Sequence, residues 1–195
     1  MAYINPPKHI PLLMRLGIFI AERKTKKRLF PARLLSWFPK SAIGSAVLES
    51  LISHGEKGIS KRLLKLIRMQ TSFWASCPFC IDMNSFEFEK YAITRKEVEA
   101  LQDLHRLEEV ESFSAKERTA LRFVRQVTRT PISVTEETVH DMQRIFSPRQ
   151  FVVIASTIAQ VNYWTRLIQS LGIAPAGFSS SCPYLNLEKY TTLHK

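Results

Sequence analysis

The sequence is poor in cysteine and in glycine, with three cysteines and six glycines among 195 residues. Three cysteines are too few for the disulfide framework of a small secreted domain. Only one pair of them has zinc-ligand spacing, and a zinc site needs four ligands, so we predict no metal centre. No glycine-rich loop of the kind that cradles phosphate groups is present. These absences favour a protein of a reducing compartment, and we predict the cytoplasm.

Strand-like alternation of apolar and polar residues and long apolar runs are also missing. The apolar stretch 151–171 is too polar for a membrane span, because it is interrupted by Ser156, Thr157, Gln160, Asn162, Arg166 and Gln169. Residues 10–20 are apolar, but a basic cluster follows them where a signal peptide would have it in front. We interpret this segment as an amphipathic arm that packs on the domain or on a neighbouring subunit, and we predict no membrane partner.

Negative charge is scarce, since 28 lysines and arginines face 17 acidic residues and the net charge is +11. Such a balance suits a nucleic-acid binder. However, no zinc-finger spacing or RNA-binding aromatic motif accompanies the charge. The cations concentrate before residue 40 and at Lys61, Arg62, Lys65 and Arg68. We predict that solvated faces carry most of them and that no nucleic acid binds, while some of this charge steers anionic substrates or partners.

What the sequence has in abundance is helix signals. Three capping boxes begin at Thr94, Ser114 and Ser147, each with an acidic or amide residue three positions later. Apolar residues follow at helical spacing. The pattern predicts one all-α domain, with no internal repeat of solenoid period. The predicted helices lie near 41–54, 60–75, 78–91, 95–103, 115–128, 136–146 and 148–171, with looser basic segments before residue 40.

The motif that carries chemistry is Cys77-Pro78-Phe79-Cys80. Proline suits the first helical position, so we predict that Cys77 caps a helix and that Cys80 lies in its first turn. The helix dipole at that end favours the thiolate form, which is the reactive species. Thioredoxin-like proteins place such a motif after a strand. Here the residues before Cys77 have helical periodicity, so the motif joins two helices and a thioredoxin fold is disfavoured.

Together these features resemble the carboxymuconolactone decarboxylase and alkylhydroperoxidase D superfamily. The resemblance rests on residues 68–85 with the cysteine pair, on 113–131 and on 146–173, and it covers roughly 40–175. It implies an alkylhydroperoxidase D-like helical domain at 40–175, between a basic, partly helical arm at 1–39 and an irregular tail at 176–195. It also implies a homo-oligomer, usually a trimer or a hexamer.

The resemblance further implies a thiol-dependent antioxidant enzyme, a peroxidase or disulfide reductase that needs no cofactor. Cys80 would be the peroxidatic thiol, and Cys77 would be the resolving thiol and the more exposed of the two. The substrate would be a hydroperoxide, and a dithiol or a protein would act as reductant. The alternative is a non-catalytic helical oligomer with a structural or redox-sensing disulfide and a basic partner-binding surface. A decarboxylase is a distant third candidate.

Two positions depart from the peroxidase pattern. The family has a His four residues after the second cysteine, where this chain has Asn84, which cannot accept the thiol proton at neutral pH. It has a Glu twelve residues before the first cysteine, where this chain has Lys65. Lys65 either stabilises the thiolate from an inward-pointing position or lies on a solvated face. His54 and Glu56 are the candidate replacement bases, whereas no motif surrounds His105, His140 or His194, and Cys182 is read as a free thiol.

Overall fold

A computed structural model of the chain describes residues 2–51, 56–103 and 106–179, and within these it contains helices and no named strand. The α-helices are α1 (Leu12–Thr25), α2 (Phe30–Leu35), α3 (Pro39–Leu51), α4 (Lys61–Trp74), α5 (Pro78–Ser85), α6 (Arg95–Leu101), α7 (Ala115–Thr128), α8 (Glu136–Ile145) and α9 (Pro148–Ser170). Short 3₁₀ turns lie at Phe88–Tyr91 and Leu107–Glu109. The all-α prediction is confirmed.

The capping boxes form as the sequence predicts. The Thr94, Ser114 and Ser147 side chains each accept from the backbone N–H three residues on, and the Glu97, Glu117 and Gln150 side chains return the contact. These reciprocal bonds satisfy backbone donors that a helix start leaves without partners. They set the first turns of α6, α7 and α9.

Helix α4 is the centre of the fold. It packs against α9, α7 and α5. Its residues Leu66, Ile67 and Met69 are completely buried and belong to two apolar clusters, one toward α6 and the other toward α7 and α9. Since α5 follows α4 after a short turn, this core also fixes where the cysteine pair lies.

The basic face predicted for α4 is only partly solvated, which corrects the sequence interpretation. Arg62 forms ion pairs with Glu97, which is fully buried, and with Glu117, whose Oε1 lies 2.8 Å from its Nε. The Arg62 guanidinium lowers the pKa of Glu97 against the opposing effect of burial. Arg68 is half-buried as well. Arg62 is partly buried because its acidic partners lie on other helices, and local periodicity cannot reveal partners so distant in sequence.

The region before residue 40 is more helical than the looser segments that we predicted. Helix α2 places Leu34 and Leu35 in the interior, and the Arg33 guanidinium binds Glu22 of α1 at 2.6 Å. By contrast, α1 buries Ile18 but exposes most of its apolar side chains, namely Leu12, Leu13, Leu16, Phe19 and Ile20. The arm therefore packs on the domain through α2, while much of α1 lies outside the core.

One predicted helix is divided. The predicted 78–91 helix ends at Ser85, because Glu87 adopts a left-handed conformation with φ near 53° and a 3₁₀ turn follows. The other helix boundaries agree with the prediction to within about two residues, except that residues 52–55 lie outside the described chain. None of the described helices combines the length and the apolar character that a membrane crossing requires.

Candidate active site

The cysteine pair sits where α4 turns into α5. Ser76 takes a left-handed conformation with φ near 50°, which reverses the chain, and Pro78 occupies the first turn of α5. Cys77 is the N-cap, and its Sγ accepts a hydrogen bond from the backbone N–H of Cys80 at 3.3 Å. Both placements were predicted from the motif and are confirmed.

The two sulfurs are joined as a disulfide, with the Cα atoms 5.3 Å apart. This separation lies within the range that disulfides adopt. The backbone of this turn thus holds the two thiols at bonding distance without any help from a distant part of the chain.

Both cysteines are buried, with exposures of 0% for Cys77 and 1% for Cys80. This contradicts the expectation that Cys77 is the more exposed sulfur. The reason is that segments from both ends of the described chain pack around the pair: Leu34 of α2, and Ile168 and Ile173 at the end of α9 and beyond it. The expectation considered only the motif, and these covering residues are distant in sequence.

Asp82 fastens the C-terminal cover. We call residues 173–179 the C-terminal strap. The fully buried Asp82 carboxylate accepts hydrogen bonds from the backbone N–H groups of Ala176, Phe178 and Ser179 at 2.7–3.0 Å. The Ser179 hydroxyl also donates to the Asp82 carbonyl. Asp82, two residues after Cys80, therefore ties the strap to the helix that carries the dithiol.

A cavity of about 240 Å³ opens beside Cys80. Its wall is mainly apolar and comes from the end of α1, the chain before α2, and helices α2, α3, α4, α5 and α9. The lining residues are Thr25, Leu29, Pro31, Ala32, Glu49, Arg68, Phe79, Cys80, Met83, Asn84, Gln160, Val161, Trp164 and Ile168. Cys77 is not among them, so of the two cysteines only Cys80 borders this cavity.

Sequence reasoning missed two charged residues of this cavity, Glu49 and Arg68. One carboxylate oxygen of Glu49, Oε2, accepts from the Gln160 amide and from the Trp164 indole at 3.2 Å. The Nε and Nη2 atoms of Arg68 are buried and have no hydrogen-bond partner. Burial lowers the pKa of Arg68, and the Glu49 charge partly offsets this. No local motif marks either residue, since α3, α4 and α9 meet only in the fold.

Asn84 and Lys65 stand where the peroxidase pattern has a His and a Glu, and they differ in their position relative to the cavity. Asn84 lines the cavity, and its amide donates to the Ser72 hydroxyl at 2.9 Å. Lys65 does not line this cavity; its ammonium donates to the Phe86 carbonyl at 2.7 Å and lies over the Tyr91 ring. Burial, with the nearby Arg68 charge, lowers the pKa of Lys65 to about 8. Lys65 is thus half-buried one helical turn from Arg68 rather than on an open surface.

The candidate replacement bases are not brought to the thiols within the described chain. Glu56 is bound by Arg149 at 3.1 Å, and that guanidinium holds the pKa of Glu56 below its ordinary value. Glu56 is not part of the cavity wall, and His54 lies outside the described residues. His140, which no motif surrounds, is exposed on α8, and His105, His194 and the predicted free thiol Cys182 lie outside the described residues.

Metal ligands do not gather in the described part of the chain: no three His, Cys, Asp or Glu side chains there could hold one ion.

Comparison with known proteins gives a distant relative in sequence and several in structure. No family model matches the chain. A Bacillus subtilis (strain 168) protein named uncharacterized protein YdfG is 27% identical over 118 residues, which are 60% of this chain and 78% of that protein.

Solved structures share the fold at low identity. An alkylhydroperoxidase AhpD core, an uncharacterized peroxidase-related protein from Ralstonia eutropha JMP134, matches 89% of this chain and 92% of its own, with TM-score 0.74 and 16% identity. The debrominase Bmp8, a cysteine-to-alanine variant in complex with 2,3,4-tribromopyrrole, matches 97% and 98%, with TM-score 0.77 and 18% identity.

A third similar structure is a protein of unknown function from Agrobacterium tumefaciens, described as a putative antioxidant defence protein AhpD. It matches 72% of this chain and 94% of its own, with TM-score 0.61 and 19% identity. The chain therefore has the alkylhydroperoxidase D-like fold, and the resemblance predicted from its cysteine motif and matching segments is confirmed at the level of the fold.

Proposed function

We propose that this protein is a dithiol peroxidase in which Cys80 reduces an organic hydroperoxide and Cys77 resolves the product. The observation that carries the proposal is the position of Cys80: it lies in the first turn of α5, lines an apolar cavity and is bonded to Cys77. A thiolate at a helix start is favoured by the dipole. An apolar cavity suits an organic substrate.

The proposed reaction has two thiol steps and one reductive step. The Cys80 thiolate attacks the peroxide, the O–O bond breaks, and an alcohol leaves as Cys80 becomes a sulfenic acid. The Cys77 sulfur then attacks the Cys80 sulfur, so that the disulfide forms and water leaves. An external dithiol or a protein reductant supplies two electrons and two protons and restores both thiols.

Proton transfer in this scheme is assigned to Glu49. Asn84 stands where the family has a His, and among the described lining residues there is no histidine. Glu49 is the carboxylate that shares the cavity with Cys80, and Gln160 and Trp164 hold it through one of its oxygens. A carboxylate can exchange a proton with a thiol or an alcohol within one enclosed site. Glu49 thus takes the role that the sequence sought at His54 or Glu56.

Two further features belong to the proposal. Because the catalytic disulfide must be reduced in every cycle, we assign the protein to a reducing compartment, the cytoplasm. We also propose a homo-oligomer, a trimer or a hexamer, supported by the exposed apolar side chains of α1 and by Ile43 and Val47 of α3. Light scattering on the purified chain tests this, and a monomer at micromolar concentration would overturn it.

The activity is tested by peroxide consumption in the presence of a dithiol reductant. Cys80→Ser and Cys77→Ser are both expected to lose at least 99% of the turnover, because each removes one of the two sulfurs that form the disulfide. Cys182→Ser is the matched control, since it removes the third cysteine of the chain and leaves the pair intact. It is expected to keep the wild-type rate.

The competing candidate is a non-catalytic helical protein with a structural or redox-sensing disulfide. The observation in its favour is the complete burial of Cys77, which gives a reductant no open path to that sulfur. Equal peroxide consumption by the wild type and by both cysteine variants would support this candidate and sink the peroxidase proposal.

A further inference from the structure

The wall of the cavity beside Cys80 contains a positively charged side chain that forms no ion pair with a described residue. Arg68 projects from α4 into its wall, and two of its three guanidinium nitrogens, Nε and Nη2, are buried without a hydrogen-bond partner. A guanidinium remains charged at any physiological pH. Leaving such a group buried and unpaired costs free energy, which the fold bears only if something else compensates.

Arg62, six residues earlier on the same helix, shows how this fold satisfies a buried arginine. It contacts two carboxylates, those of Glu97 and Glu117, and the carbonyl of Ala92. Arg68 has one carboxylate near it, Glu49, but that group is bonded to Gln160 and Trp164 and makes no contact with the guanidinium. The polar end of the cavity thus has a guanidinium without a hydrogen-bonded anion, and its one carboxylate is held by other side chains.

The surroundings of Arg68 add positive charge. A second, smaller cavity of about 200 Å³ is lined by Lys61, Lys65 and Arg68 and adjoins the first at Met83 and Asn84. The rest of the wall around Cys80 is apolar, with Phe79, Val161 and Ile168 among its members. One site therefore combines an apolar body with a cationic end and a reactive sulfur.

We propose that this cavity binds a compact hydrophobic organic acid, with its carboxylate on the Arg68 guanidinium and its apolar body beside Cys80. Arg68 lines the cavity, and the planar fork of N–H donors of a guanidinium matches the two oxygens of a carboxylate. The cavity volume of about 240 Å³ lies slightly below the ~300 Å³ at which typical ligand cavities begin, so the ligand has to be compact. The inference rests on the proposed function in one respect: for a peroxidase, the substrate is then a hydroperoxide that carries a carboxylate. Arg68 is then the residue that determines specificity.

Binding is tested apart from turnover, on the full chain with Cys80→Ser. The probes are 4-isopropylbenzoate and 4-isopropylbenzyl alcohol, which share a shape and differ in charge, and calorimetry measures their affinities. The carboxylate is expected to bind at least tenfold more tightly. Arg68→Met should abolish this preference, and Arg68→Lys should keep part of it because the charge remains. Arg122→Met is the matched control, since Arg122 lies on α7 away from the cavity.

A preference of twofold or less, or one that survives in Arg68→Met, overturns the inference. If Arg68→Met melts below the assay temperature, Arg68→Lys decides the matter, because it retains a cation. A carboxylate preference weaker than that of the wild type supports the inference, and an unchanged preference overturns it. A catalytic arm compares cumene hydroperoxide with its para-carboxylated analogue, where the wild type should have the higher kcat/KM for the acid. Turnover without this preference refutes only the inference, whereas carboxylate binding without turnover of any hydroperoxide refutes only the proposed function.

Discussion

The two sides of the cysteine pair differ more than their three-residue spacing suggests. Cys77 has the hydrogen bond from the Cys80 amide but is covered by α2, the end of α9 and the C-terminal strap. Cys80 lines the cavity. The cysteine whose sulfur accepts this bond thus has no contact with the cavity, and the other cysteine shares the cavity with a cation and a carboxylate. In the proposed mechanism, contact with the cavity and not proximity to the helix start therefore separates the roles of the two thiols.

The strongest test of this comparison measures each thiol alone. The double variants Cys77→Ser with Cys182→Ser and Cys80→Ser with Cys182→Ser each keep one thiol of the pair. Iodoacetamide is expected to alkylate Cys80 about 100-fold faster than Cys77, since reaching Cys77 requires local opening that costs ~3 kcal/mol. Each rate is divided by the alkylation rate of the same variant unfolded in guanidinium chloride, which corrects for the intrinsic reactivity of each thiol. Equal normalised rates would contradict the difference in access.

The next test weakens the cover of Cys77 through its anchor. Asp82→Asn replaces a buried charged acceptor of three backbone N–H groups by a neutral amide. Hydrogen bonds to charged groups are worth more than neutral ones, so we expect a loss of ~2 kcal/mol in the free energy of unfolding. Cys77 alkylation should rise about 30-fold by the same opening.

The control for this anchor is Asp141→Asn, which removes an α8 carboxylate bound to Arg144. It should leave Cys77 alkylation unchanged. If both variants expose Cys77 equally, the effect comes from general destabilisation and the strap is not the cover.

A third test narrows the cavity that Cys80 borders. Ala32 of α2 lines the cavity, and Ala32→Phe fills part of its volume. We expect Cys80 alkylation to fall about tenfold while Cys77 stays slow, at a stability cost of ~1–3 kcal/mol for the added bulk. Ala46→Phe, on an exposed position of α3, is the matched control. Unchanged Cys80 reactivity in Ala32→Phe would mean that reagents reach the sulfur by another route.

The smallest expected effect concerns Lys65. Its pKa of about 8, lowered by burial and by Arg68, means that it loses its positive charge as the pH rises through 8. If this charge supports the Cys80 thiolate, Lys65→Arg keeps the support at high pH. The ratio of the variant rate to the wild-type rate in peroxide consumption should then rise about two- to fivefold between pH 7 and pH 9. A ratio independent of pH would contradict a role for the Lys65 charge in supporting the Cys80 thiolate.

Much of the fold could be predicted because its signals are local. Capping boxes at Thr94, Ser114 and Ser147 involve residues three apart, and the Cys77 cap and the Pro78 position follow from the motif itself. Backbone bonds over one turn depend little on what surrounds the helix. For the same reason the sequence placed the dithiol between two helices correctly.

The sequence by itself determined the helices, their starts and the pairing of Cys77 with Cys80, since each depends on neighbours within one or two turns. Only the tertiary structure decided which of the two cysteines borders the cavity and which charged residues share that cavity. Glu49 meets Gln160 across 111 residues, and Asp82 binds Ala176 across 94. Such contacts depend on how α3, α5, α9 and the strap pack together. Burial then strengthens the electrostatic interactions of these charged groups, which is typical of functional sites.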